Sequence, residues 1–375
     1  MKINVFTDLR FTRSKTPTGV GKHILQMTRG LAADHSNEVC VLAARDQVGA
    51  EQRIPGQNEL AGLPATILPL PWKAAEALWT VAGRPFADRW CDDIDWVYCP
   101  KNDFIPVRRT RVAVTIHGAA ELDPAMPQSG TLGARLNRWR RRTAYRRMVE
   151  QGAVVLTVSE FLKGQVVDWF GADPERVVVV GNGVEAEFFH AAGQPIGMSG
   201  EPADRPFILC VGGLNYLDGG DRVLAAAHLL RRRLPDLRII VAGCQHEQQM
   251  SRAVLELPNV TLLGYVTSDR LAPYMRDAVA LLFPTRYETF GIAAAEAMAA
   301  GTPVVTCRST AVPEVVGDAG IYVDPDHPEA IVEALMALQS QSGLRTELIA
   351  CGRRRAQTYT WPACVARLQQ SLERR

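Results

Sequence analysis

Two glutamates, Glu288 and Glu296, stand eight residues apart around a Thr289-Phe290-Gly291 turn. Carboxylates so placed can accept hydrogen bonds from ligand hydroxyls. Ahead of them, Val279-Ala280-Leu281-Leu282-Phe283 is a short apolar run ended by Pro284. It reads as a buried strand leaving the core, with Glu288 on the loop that follows. From Gly291 onward the alanine-rich composition favours helix, so the free N–H groups and positive dipole end of that helix face whatever the loop holds. A phosphate suits such an end. Glu296, in the second helical turn, is then close enough to reach the hydroxyls of a ligand whose phosphate sits at the helix start.

Earlier in the chain, three stretches offer related chemistry. Pro17-Thr18-Gly19-Val20-Gly21 precedes a run with Ile24, Leu25, Met27 and Leu31 at helical spacing. Gly19, Val20 and Gly21 would let the backbone approach a ligand closely, although a plain glycine turn into a helix fits the same letters. Val112-Ala113-Val114-Thr115-Ile116 ends at His117, which places a histidine just past a buried strand. Phe207-Ile208-Leu209-Cys210-Val211 runs into Gly212-Gly213-Leu214-Asn215-Tyr216-Leu217-Asp218-Gly219-Gly220-Asp221-Arg222, a second glycine-rich strand exit.

These residues need a scaffold, and the chain is long enough to supply two. At 375 residues it suits two domains of ordinary size, and 47% hydrophobic and 22% charged residues with net charge +2 indicate a globular protein. Strands are expected at 3–6, 39–43, 96–99, 112–116, 154–158 and 177–180, then at 207–211, 237–242, 260–263, 279–283, 304–306 and 321–323, with helical stretches between them. That alternation implies two parallel α/β sheets. The glycine- and proline-rich stretch 191–205 reads as a linker. The domain expectation is therefore 1–190, linker 191–205, 206–355, and a C-terminal helix within 356–375 returning to the first domain. No apolar stretch approaches the ~20 residues of a membrane span. The start reads as a strand rather than a signal peptide. The eight cysteines include no CxxC pair and several lie in apolar runs, so reduced buried thiols are expected, and no metal site.

The segment 284–305 resembles the E-x7-E signature of retaining glycosyltransferases of the GT-B fold, family 4 (glycosyltransferase group 1). The resemblance implies two Rossmann-like doubly wound domains facing across a cleft, with an acceptor-binding first domain and a nucleotide-sugar-binding second one. Glu288 would contact the donor sugar, Glu296 the ribose, and the backbone of Thr289, Phe290 and Gly291 the diphosphate. Gly19, Val20, Gly21 and Gly213 would approach the same diphosphate. His117 would touch the donor sugar near the reacting centre, though many relatives follow this histidine with Asp where this chain has Gly118. Tyr265 and Val266, after the strand 260–263, would line the nucleobase. The implied activity is hexosyl transfer from a nucleotide diphosphate sugar, GDP-mannose favoured and UDP-sugars open, to a glycan or lipid-linked oligosaccharide. Bacterial surface polysaccharide assembly is the setting it suggests, in the cytoplasm or at the inner face of its membrane.

The chain departs from this pattern at Leu217 and Asp218, where relatives usually carry an Arg-Lys pair that neutralises the pyrophosphate. An acid there repels a phosphate. Arg222, the backbone of Gly219 and Gly220, Arg286, or a divalent cation bridging Asp218 and the phosphates would have to compensate. The alternative is an altered, non-catalytic GT-B protein serving as a nucleotide-sugar-binding scaffold. Seven arginines lie between Arg135 and Arg147, together with Trp139 and Tyr145. This helix either rests on an anionic membrane surface or is a solvated face paired with acids. Net charge +2 and the lack of a stacking module argue against nucleic acid as a partner.

Overall fold

The computed structural model describes residues 1–375 apart from 13–17, 50–52, 57, 92, 127–129, 196, 198, 202–204, 244–251 and 255, and apart from the side chain of Val81. Pro17 of the glycine turn, Cys244 and part of the 191–205 stretch lie outside the described residues.

Strands that are apolar at every position, rather than at alternate ones, must be covered on both faces. Every residue of Trp96–Cys99 and of Val154–Thr157 is buried. Seven strands form a parallel sheet in the order β3-β2-β1-β4-β5-β6-β7. They are β1 (Lys2–Phe6), β2 (Glu38–Ala44), β3 (Ala65–Leu68), β4 (Trp96–Cys99), β5 (Arg111–Ile116), β6 (Val154–Thr157) and β7 (Val177–Val179). A second parallel sheet has the order β10-β9-β8-β11-β12-β13. Its strands are β8 (Phe207–Val211), β9 (Arg238–Ala242), β10 (Val260–Gly264), β11 (Leu281–Phe283), β12 (Val304–Thr306) and β13 (Gly320–Tyr322). The strand β3 was not expected. Of its four residues between Pro64 and Pro69, the first three are half-buried and only Leu68 is fully buried, and the strand pairs on one side alone.

In each sheet the strand order turns back about one pair, β1 beside β4 and β8 beside β11. The carboxyl ends of such a pair open a crevice where ligands settle in doubly wound folds. β1 leads toward the helix Gly19–Ala33, β8 into the loop 212–219, and β11 into the loop 284–291 before the helix Ile292–Ala300.

The chain forms two compact units, Met1–Asn182 with Trp361–Arg375, and Gly183–Thr360. Residues 183–190, read from sequence as part of the first domain, and the stretch 191–205, read as a linker, both fall in the second unit. Hydrogen bonds attach them there: the Val184 N–H donates to Tyr359 O at 2.9 Å, and Gly197 and Ser199 donate their N–H groups to Asp277 Oδ1 and Oδ2 at 3.0 and 2.8 Å. The C-terminal helix Trp361–Glu373 belongs to the first unit and packs on Gly19–Ala33. A Cβ at Gly30 would lie 2.3 Å from Val365 Cγ2, so this crossing requires the missing side chain. The seven described cysteines are free thiols, five of them buried. Among the described residues no helix is long and apolar enough to cross a membrane.

Candidate functional site

In the second unit the site is made by two loops latched together. Leu217 O accepts hydrogen bonds from Thr285 Oγ1 at 3.0 Å and from the Arg286 N–H at 2.8 Å. Gly219 adopts φ +77°, and a Cβ there would come 2.2 Å from Pro284 O. Only glycine allows that approach. The Leu217-Asp218-Gly219 segment thus does structural work, holding the 212–219 turn against the strand exit at 284.

Glu288 lies half-buried on the second loop. Its N–H donates to Thr310 Oγ1 at 2.8 Å, and that hydroxyl donates back to Glu288 O at 2.7 Å. The side chain turns onto its own loop, where Oε1 accepts from the N–H groups of Thr289 at 3.0 Å and Phe290 at 3.4 Å. Burial raises the Glu288 carboxyl above its usual range, these backbone donors oppose the shift, and the nearby Asp218 charge adds to it. The helix Ile292–Ala300 begins at Gly291, which caps it with φ +92°, and ends at Gly301 with φ +82°. Its alanines let it sit buried on nearly all sides, and Glu296 is buried with them at 2% exposure. A carboxylate this deep in a helix is kept only where it is paired or serves a ligand.

Asp218 mirrors Glu288. Its Oδ2 accepts from the Gly213 N–H and from Asn215 Nδ2, both at 2.7 Å. Both carboxylates therefore sit on backbone amides at strand exits of one sheet, the kind of donor that phosphate oxygens use. The groups that could supply charge or donors to a phosphate here are already engaged. Arg222 bonds Asp326 Oδ1 at 2.9 Å and Pro284 O at 3.0 Å. Arg286 grips Asp221 with two bonds of 2.6 and 2.7 Å, donates to Tyr216 O at 2.9 Å, and lies 4.1 Å over the Tyr216 ring. The Gly219 and Gly220 N–H groups donate to Tyr216 O and Asn215 O. Among the described residues no group of three or more His, Cys, Asp or Glu is placed to hold a metal ion. Tyr265 and Val266 follow β10 half-buried, beside Gly264, whose carbonyl accepts the Gly243 N–H at 2.7 Å.

In the first unit, Val20 and His117 line one cavity of about 760 Å³ together with Phe11, Trp72, Lys101 and Asn102. Gly19 is exposed and Gly21 is buried, its N–H capped by Thr18 Oγ1 at 3.2 Å. The His117 ring meets Pro100 O through Nε2 at 2.8 Å. A carbonyl only accepts, so Nε2 carries the hydrogen and Nδ1 is left as an acceptor. Burial lowers the imidazole to about 4, so the ring is neutral near pH 7. His23 stands edge-on to it at 4.5 Å and is also held neutral, by burial first and then by His117. Its Nδ1 bonds Asn182 Oδ1 at 2.8 Å, which gives Asn182 a structural use. Ser159 caps its helix through the Leu162 N–H at 3.1 Å.

Sequence reasoning did not single out Lys101 and Asp103. They form an ion pair of 2.7 Å, with the ammonium 4.8 Å over Phe11 and 5.9 Å over Trp72. The available signal was the polar cluster Lys101-Asn102-Asp103 directly after a fully apolar strand.

Two doubly wound parallel sheets whose switch-point loops present carboxylates and glycine-rich turns define a GT-B protein. Residues 17–188 match the family profile Glycosyltransferase Family 4, and residues 205–341 match Glycosyl transferases group 1. The chain belongs to these glycosyltransferases. It is 28% identical to a D-inositol 3-phosphate glycosyltransferase of Acidothermus cellulolyticus, over 92% of this chain and 83% of the relative. With the O-antigen chain mannosyltransferase B of Escherichia coli it shares 26% identity over 72% of each. The chain spans about half the length of two further D-inositol 3-phosphate glycosyltransferases that it matches, 53% for that of Thermomonospora curvata and 52% for that of a Nocardioides species. In fold it is similar to sucrose-phosphate synthase of Thermosynechococcus elongatus (TM-score 0.76, 18% identity, 100% and 98% covered). It is likewise similar to Anabaena HepE solved with UDP and glucose (TM-score 0.72, 15% identity, 100% and 99% covered).

Proposed function

We propose that this chain is a retaining hexosyltransferase that moves a sugar, mannose favoured, from a nucleotide diphosphate donor to a hydroxyl of a glycan or lipid-linked saccharide. The observation that carries the reading is the loop 284–291 at the switch point of the second sheet, with Glu288 at the mouth of a buried helix and Glu296 sunk into that same helix. In this reading Glu288 and His117 position the donor sugar, with neutral His117 Nδ1 accepting a sugar hydroxyl. Glu296 takes the ribose hydroxyls. Thr289, Phe290 and Gly291, with Gly213 and the Gly19-Val20-Gly21 turn, approach the diphosphate, Arg222 supplies charge beside it, and Tyr265 and Val266 line the base. The bond from the anomeric carbon to the leaving phosphate breaks, the acceptor oxygen bonds to that carbon on the same face, and its proton passes to the leaving phosphate. Stabilising charge on the phosphate then dominates the rate.

The mannosyltransferase relative supports GDP-mannose and a role in bacterial surface polysaccharide assembly, while the UDP-bound fold neighbour keeps a UDP-sugar in view. The arginines from Arg135 to Arg147 support contact with an anionic membrane surface on the cytoplasmic side. A second reading, a nucleotide-sugar-binding scaffold without turnover, is favoured by one observation: Asp218 occupies the Gly213 amide.

Thermal shifts with GDP, UDP and their sugars, followed by product formation from radiolabelled donors, test both readings. One nucleoside diphosphate stabilises the protein and the Glu296→Ala variant loses that shift. An unchanged shift in that variant removes the ribose assignment, and nucleotide binding without product establishes the scaffold.

A further inference from the structure

The helix Leu132–Gln151 carries more than its arginines. Along residues 131–142 only Ala134 and Arg138 are half-buried, and the rest stand exposed. Leu132, Leu136 and Trp139 recur at i, i+4 and i+7, so they share one face, and they are 81%, 62% and 65% exposed. Three of the seven large exposed apolar side chains among the described residues thus fall within eight residues. Seven arginines and one acid, Glu150, occupy the same helix, and Arg141 is tied to Glu121 at 2.7 Å. An apolar stripe of this kind on a cationic helix is what an anionic bilayer surface binds.

Beside it lies a cavity of about 500 Å³ lined by Leu122, Pro124, Trp139, Trp169 and Phe170, with Arg138 and Arg142 completing its wall. Phe170 stacks on the buried Tyr145, ring centroids 5.1 Å apart, which backs its wall of the slot with the fold's interior. The size falls in the range of small-ligand pockets. Arg138 and Arg142 sit one turn apart, so both guanidinium groups serve the same side of the helix. The lining is apolar with cationic groups at one side, the polarity of an amphiphile that carries a phosphate on a hydrocarbon chain.

We propose that the first three turns of this helix and the adjoining slot form a lipid-binding face. Leu132, Leu136 and Trp139 enter the acyl boundary of an anionic membrane, the arginines meet its phosphates, and the slot takes the hydrocarbon segment next to one such phosphate. The inference deepens the membrane contact proposed above and rests on it for the acceptor's chemistry. It differs from an arginine-only contact in requiring the apolar stripe.

The test uses the full chain with vesicles of mixed phosphatidylglycerol and phosphatidylcholine, and with vesicles of phosphatidylcholine alone. The protein partitions onto the mixed vesicles, brominated lipid quenches its tryptophan emission, and Trp139→Phe removes most of that quenching. The Leu132→Gln/Leu136→Gln pair, altered at exposed positions that the fold does not need, partitions roughly tenfold more weakly or worse. Dodecyl phosphate without vesicles shifts the Trp139 emission and inorganic phosphate does not. Partition of the paired variant equal to wild type, quenching that survives Trp139→Phe, or an equal response to inorganic phosphate would each overturn the proposal. The nucleoside diphosphate thermal shift is recorded alongside. Its absence in wild type would defeat the donor reading, and the partition result would still decide the lipid face.

Discussion

Replacing Asp218 by Asn is the sharpest perturbation of the donor site. The carboxylate holds the Gly213 N–H at 2.7 Å, so a phosphate oxygen seeking that amide must displace it or sit beside it. Two unit charges about 5 Å apart at an effective dielectric of ~20 repel by about 3 kcal/mol. Solvent and salt at this half-buried loop reduce that to roughly 1–2 kcal/mol. Asn keeps an oxygen for Gly213 and for Asn215 Nδ2, so the turn survives. Nucleoside diphosphate therefore binds Asp218→Asn about 5- to 30-fold more tightly at low salt. Calorimetric titration of both proteins at low and high salt, with and without magnesium, measures this, and the gain shrinks as salt rises. Weaker binding by the variant, above all with magnesium present, would refute the repulsion argument and make Asp218 a cation ligand instead.

Other outcomes follow from the same geometry. Glu288→Gln retains Oε1 for the Thr289 and Phe290 N–H groups and removes a partly buried charge, so sugar transfer falls at least about a hundredfold while chemical denaturation shows stability unchanged or raised. Because the His117 imidazole is lowered to about 4 in the fold, against about 6.5 in an unfolded chain, its neutral form contributes stability above about pH 6.5 that is lost as pH falls toward 4. Unfolding midpoints should drop across that window, and His117→Asn should flatten the slope. Gly30→Ala pushes a methyl into Val365 and costs roughly 1–3 kcal/mol, and Val365→Ala in the same chain restores part of it.

The sheets were legible because their central strands are short, mostly apolar runs such as Trp96–Cys99 and Phe207–Val211, a signal that survives without knowledge of neighbours. β3 escaped because four residues between prolines, three of them half-buried, read like loop. The loop 284–291 and its helix could be placed from Pro284, Gly291 and the alanine run, since turn and helix chemistry are local. What carboxylates do on such loops is not. Glu288 bonding its own Thr289 and Phe290 depends on a backbone angle, and Asp218 reaching Gly213 depends on a turn built by Gly219. The ion pairs that occupy Arg222 and Arg286 join residues 104 and 65 positions apart, beyond any pattern in the letters. The stretch 191–205 has the composition of a linker, yet two N–H bonds to Asp277 attach it to the second unit. Composition reports chain stiffness and says nothing of a distant acceptor.

The central claim is that the Glu288–Glu296 segment grips a nucleotide sugar. It is tested most directly by a crystal structure with the nucleoside diphosphate that gives the larger thermal shift. The account predicts ribose hydroxyls on the Glu296 carboxylate and the diphosphate over the start of the helix Ile292–Ala300. A well-ordered nucleotide bound elsewhere, with Glu296 untouched, would contradict it.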